Sequence, residues 1–172
     1  TVENLKMDIV FPMEKGKKYP CIVWICGGAW KEMSTGAHLA YLSRLAMEGF
    51  VVASVQYRTS NQVIFPAQLE DIKAAVRYLR AHSEQYSIQE DAFGVMGESA
   101  GAHLAAMTAL TGDRKEWDKG WYLDESSAVQ AACTWYLPSD MEKMIEGTAD
   151  YMKAAAPESL LIGGNASVDR EK

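Results

Sequence analysis

Nowhere in the 172 residues does an apolar run approach the roughly 18 residues that a membrane span requires. Basic excess is also missing: 17 lysines and arginines stand against 23 aspartates and glutamates, a net charge of -6. Such a surface offers little to a phosphate backbone or an anionic lipid, so neither nucleic acid nor a membrane is expected as a partner. Cysteine is scarce. Cys21, Cys26 and Cys133 are odd in number, and two of them lie in one apolar run, which excludes a disulfide framework and reads as buried free thiols. Reduced thiols favour a cytoplasmic location. No Cys and His residues cluster at ligand spacing, so no metal is expected, and no motif calls for a cofactor. The opening residues, TVENLKMDIV, lack the basic start and apolar stretch of a secretory leader. Repeats, linkers and low-complexity segments are absent too, so residues 1–172 read as a single domain, long enough to bury a core.

What is present alternates. CIVWICGG (21–28) is a continuous apolar run closed by glycines, the pattern of a strand buried on both faces. Ser34 or Thr35 is then placed to cap a helix carrying Leu39, Leu42 and Ala46 on one side, with Gly49 ending it. FVVASVQY (50–57) is the next buried strand. Pro66 opens a second helix with Leu69, Ile72, Val76 and Leu79 at three- and four-residue spacing, while Asp71, Lys73, Arg77 and Arg80 fall elsewhere on its surface. AFGVMG (92–97) is a third strand, followed by a helix from about Ala100 to Leu110, and VQAACTWYL (129–137) a fourth. DIVF near the start reads as a peripheral strand. Strands alternating with helices of this length predict an α/β fold, a mostly parallel sheet with helices on both faces. The polar segment 111–127 reads as a surface excursion, or else as a wall of the binding cleft.

One stretch carries chemistry. Gly97-Glu98-Ser99-Ala100-Gly101 sits where a strand ends and a helix begins. A serine at such a turn is held in a strained conformation with its hydroxyl above the sheet edge, and the helix that follows aims free N–H groups and its positive end at the same place. Acyl transfer also needs N–H donors from an earlier loop, to stabilise the oxyanion that forms at the attacked carbonyl. Cys26-Gly27-Gly28-Ala29-Trp30 occupies that position two strands earlier. Gly28, Ala29 and Ala100 are thus the expected oxyanion donors, with Gly27 and Trp30 at the substrate.

The order CIVWICGGAW, VVASVQYR, FPAQLEDIKAAVRYLR, FGVMGESAGAHLA, LPSD and PESLLIGG resembles the α/β-hydrolase esterases related to hormone-sensitive lipase. Within them it is most similar to the acetyl-xylan and feruloyl esterase-like branch, from about Asp8 to Gly164. The resemblance implies an α/β-hydrolase fold, Ser99 as nucleophile, and a small, carbohydrate-linked ester as substrate. That branch often carries a histidine, which braces the oxyanion loop, where this chain has Cys26.

A nucleophilic serine needs a base and an acid, and the family order is Ser, then Asp or Glu, then His. The histidines are His38, His82 and His103, and none follows His103. His103 stands in the helix after Ser99, where the resemblance implies a structural role, and His38 and His82 lie at helix ends. Asp140 reads as a helix cap in preference to an acid, Glu98 as a charge that organises the turn, and Asp71 as a structural contact. The chain therefore reads as the N-terminal part of an esterase, with the acid and the histidine expected downstream of Lys172 and the last strands of the sheet missing. The 129–137 strand would then form an exposed edge able to pair with a second copy. Two other readings stand beside this one: a non-catalytic binding module that keeps the cleft alone, and a peptidase of the same fold.

Overall fold

Five strands form one mixed sheet in the computed structural model, which describes residues 5–164 and 166. They are β1 (Met7–Val10), β2 (Tyr19–Ile25), β3 (Val51–Val55), β4 (Ile88–Glu98) and β5 (Ala131–Trp135), in the spatial order β1-β3-β2-β4-β5. β2, β3, β4 and β5 run parallel, and β1 closes one edge antiparallel to β3. The principal helices are α1 (Leu39–Met47), α2 (Ala67–Ala81) and α3 (Ala100–Leu110), and three short ones follow β5: α4 (Met141–Glu146), α5 (Asp150–Lys153) and α6 (Pro157–Ile162).

The central strands are apolar throughout because both of their faces are covered. Ile72, Val76 and Leu79 of α2 and Leu104 and Ala105 of α3 pack with Val23, Ile25, Val51, Val55 and Val95 on one face. On the other, Leu42 of α1 packs with Trp24 and Val52. Each such aliphatic side chain contributes about 1.5–3 kcal/mol by leaving water. This is the expected α/β arrangement with helices on both faces, and DIVF supplies the peripheral strand.

Three local expectations are corrected. The first helix starts at Leu39, not after Ser34 or Thr35. Residues 31–38 are spent on turns, with Lys31 and Glu32 N–H donating to the Gly28 carbonyl at 3.0 and 3.1 Å, and His38 (φ 62°) opens the helix. Gly49 (φ 92°) ends it as expected.

On α2, Asp71, Lys73 and Arg77 are buried, not on the surface. Asp71 grips Arg58 at the end of β3 through paired contacts of 2.8 and 2.9 Å. Lys73 donates to the Thr111 and Arg114 carbonyls at 2.6 and 2.9 Å, and Arg77 meets Asp118 at 2.9 Å. The segment 111–127 is thus strapped across the second face of α2. Burial lowers the Lys73 and Arg77 pKa values, with Asp118 opposing it in part. Burial would raise the Asp118 carboxyl, but the Ser127 hydroxyl and the surrounding cations hold it below the ordinary carboxylate range. Arg80 continues the attachment, bonding the carbonyls of Glu90 and Ala128 beside the starts of β4 and β5. The strap is therefore held along α2 from Lys73 to Arg80, and its Trp121 and Tyr122 line a hollow with Val55, Gln56 and Asp71 at the C-terminal end of β3.

The third correction concerns Cys133, which is exposed on β5, whereas Cys21 and Cys26 are buried as expected; all three are free. Apart from partly covered Thr134, β5 is exposed along its length, as an edge strand is.

Candidate active site

β4 runs to Glu98 and α3 begins at Ala100, so Ser99 alone makes the reversal. It does so at φ 50°, ψ -123°, a conformation that side-chain-bearing residues rarely adopt and that neighbouring structure must hold in place. Ser99 is half-buried, and Ala100 behind it is the first residue of α3, where the helix uses no amide of its own opening turn.

The Gly27–Trp30 loop is built against this turn. A side chain at Gly27 would lie 2.8 Å from the Glu98 carbonyl oxygen and 3.2 Å from the Ser99 Cβ, so only glycine brings the two segments into contact. Gly28 (φ 131°) is exposed, and a side chain there would strike the Glu32 carbonyl oxygen at 2.2 Å. Ala29 and Trp30 follow with φ of 52° and 57°. Among the described residues, the amides of Gly28 and Ala29 donate to no partner. The structure thus brings Gly27 against Ser99, with Gly28 and Ala29 next along the loop and Ala100 next along the chain from Ser99.

Trp30 is a correction. Its indole is 2% exposed, in the core and not in an open cleft, edge-on to His103 with ring centres 5.5 Å apart. The loop is braced from below by Tyr57, whose hydroxyl donates to the Cys26 carbonyl at 3.0 Å. Burial pushes the Cys26 thiol above its ordinary value, so it is no rival nucleophile.

The three histidines are engaged elsewhere. His103 is packed between Trp30 and Phe65, and burial lowers its pKa to about 4. His82 bonds the Tyr78 carbonyl at 2.8 Å at the end of α2. His38 Nε2 lies 3.0 Å from Glu98 Oε1. Asp140 caps α4, its Oδ1 accepting the Lys143 N–H at 3.0 Å. Among the described residues no group of acidic, Cys and His side chains is arranged to hold a metal ion, and no helix is long and apolar enough to cross a membrane. The final residues, 165 and 167–172, in which the sequence leads toward the expected acid strand, lie outside the described residues.

Sequence reasoning read Asp71 as a structural contact without its partner, Arg58, and missed one contact of Glu98 outright. The bond between Glu98 and Tyr136, 38 residues apart, had no local signal.

The family model BD-FAE matches residues 7–172. The chain belongs to the BD-FAE family. Over 128 residues it is 32% identical to "Esterase LipQ" of Mycobacterium tuberculosis, a match covering 73% of this chain and 30% of that protein. Among solved structures, it is similar to a bifunctional GH43-CE protein of Bacteroides eggerthii (33% identity, TM-score 0.87, 95% of this chain and 23% of that one). It is also similar to a truncated form of a carbohydrate esterase from gut microbiota (34% identity, TM-score 0.83, 91% and 59%). This BD-FAE chain therefore spans about a third of the curated relative and under two-thirds of either structure. The likeness bears out the α/β-hydrolase esterase resemblance over the N-terminal part of such proteins.

Proposed function

We propose that this BD-FAE chain carries the nucleophile and oxyanion loop of a serine carboxylesterase acting on small, carbohydrate-linked esters. The observation that carries the reading is the contact between Gly27 and Ser99 at a strained strand-to-helix turn. Ser99 Oγ attacks the ester carbonyl carbon, and its proton passes to a base. The Gly28, Ala29 and Ala100 amides stabilise the oxyanion; the alcohol departs with a proton, and water then hydrolyses the acyl-serine. The relatives named as esterases, and the neighbour named as a carbohydrate esterase, support the substrate class. Because His103 is buried between Trp30 and Phe65, and among the described residues no hydrogen bond joins His38 or His82, bonded to Glu98 and Tyr78, to Ser99, we place the base outside these 172 residues. The same observation favours a second reading, a binding module that keeps the cleft without turnover.

The test is turnover of a short-chain nitrophenyl ester. The 172-residue chain should be very weak, and its residual rate should vanish in Ser99→Ala. Extension by the coding sequence downstream of Lys172 should raise the rate at least about a hundredfold, the low end of what a general base supplies. Activity that survives Ser99→Ala removes the nucleophile assignment. Full activity in the short chain, lost on His103→Ala, would make His103 the base. No Ser99-dependent turnover in either chain would favour the binding module.

A further inference from the structure

Of the seven described non-glycine residues with positive φ, three belong to the site just built: Ala29, Trp30 and Ser99. Two more, His38 (φ 62°) and Tyr136 (φ 42°), lie far from one another in sequence, and both bond the same carboxylate. That carboxylate is Glu98, beside the serine. Its Oε1 lies 3.0 Å from His38 Nε2, and its Oε2 accepts the Tyr136 hydroxyl. The Glu98 side chain is only 15% exposed although Tyr136 and His38 are both exposed, so it lies beneath the two groups that grip it.

The contacts close into a ring. His38 stands edge-on to Trp24 of β2 at 5.7 Å, and Trp24 stands edge-on to Trp135 of β5 at 5.5 Å. Trp135 accepts the Ser99 N–H through its carbonyl at 3.0 Å, and the next residue, Tyr136, returns to Glu98. Gly27 packs on the inner side, where a side chain would meet the Glu98 Cγ at 3.5 Å. One carboxylate thereby joins four segments: the oxyanion loop, the start of α1, the end of β4 and the residue after β5.

We infer that Glu98 is a positioning residue that holds the Gly27–Trp30 loop in register with the Ser99 turn. The electrostatics agree. Burial would raise the Glu98 carboxyl, but the Tyr136 hydroxyl, His38 and the Gly27 backbone N–H together hold it below its ordinary value, so the anion is the form the ring is built for. Strained residues persist only where their surroundings over-determine them, and Glu98 is the group on which the strain at His38 and Tyr136 converges. The inference rests on the reading of Ser99 as nucleophile for its purpose, though not for its geometry.

Amide hydrogen exchange on the ¹⁵N-labelled 172-residue chain reads that geometry without any activity. In Glu98→Ala, the loop amides of Lys31 and Glu32, which bond the Gly28 carbonyl, and that of Ser60, which bonds the Trp30 carbonyl, should exchange at least tenfold faster, while those of β1 and β3 change by less. Glu98→Gln, which keeps an acceptor oxygen, should recover at least half of that effect on a logarithmic scale. Tyr136→Phe deletes one hydroxyl from an exposed ring, a change too small to unfold the chain, and should speed the loop amides at least threefold. A smaller loop response in Glu98→Ala, an equal response in β1 and β3, or no response in Tyr136→Phe overturns the inference. A parallel measurement separates the two readings. Modification of Ser99 by a fluorophosphonate in the chain extended beyond Lys172 reports the nucleophile, and its failure there counts against the esterase reading while the exchange data still judge Glu98.

Discussion

Gly101, at the start of α3, faces the carbonyl oxygen of Ile25, at the end of β2, so closely that a side chain there would lie 2.1 Å from that oxygen. Gly97 is confined in the same way, with the Gly101 carbonyl oxygen at 2.4 Å and that of Ile25 at 2.9 Å. Both glycines of the motif are therefore steric requirements of the place where strand, helix and loop meet. Backbone atoms, unlike the tip of a flexible side chain, have nowhere to yield.

Gly101→Ala should accordingly separate α3 from β2 and destabilise the protein by more than about 3 kcal/mol, beyond the usual range for overpacking. Gly36→Ala is the control, since a side chain there meets only the Ser34 hydroxyl at 3.7 Å. Urea unfolding of both variants checks this; equal midpoints would show that the turn relaxes at no cost.

His103 should make the protein acid-sensitive. Burial depresses its folded pKa to about 4, against 6.5 for the ordinary group. Because the folded pKa is the lower one, the unfolded chain binds more protons between these values. Stability is thus full above about pH 6.5 and falls as pH drops toward 4, by about 3 kcal/mol from this group alone. His103→Phe removes the titrating ring and should flatten that part of the profile. Unfolding free energies at pH 7 and pH 4.5 for both proteins give the comparison, and an unchanged slope would locate the sensitivity elsewhere.

The β5 edge should associate. Ala131, Ala132, Cys133 and Trp135 are exposed on a strand whose outer edge pairs with no described strand, and an apolar edge invites another chain. Beside it lies an apolar hollow of about 320 Å³, lined by Ile22, Phe50, Phe93, Met96 and Ala132 among others. Light scattering of the 172-residue chain should show mass increasing with concentration, and Cys133→Lys should restore a monomer. A wild-type chain that stays monomeric at high concentration would remove the proposed self-association.

The alternation of apolar runs with amphipathic stretches determined the parallel sheet, because a strand covered on both faces must be apolar throughout and a covered helix needs one apolar side. It also determined where Ser99 would stand, since a glycine-flanked serine between such elements leaves the chain a single residue in which to turn. Sequence periodicity reports only the side of a helix that meets the sheet. Whether the other side meets water depends on segments far along the chain, and Lys73 and Arg77 are buried because Asp118, 41 residues beyond Arg77, folds back over them. Trp30 followed the same rule: the turn after Gly28 sent its indole inward against His103, away from the cleft. The ring around Glu98 was decided by tertiary structure alone, because its partners stand 60 and 38 residues away and meet only after the sheet has brought β2, β4 and β5 side by side.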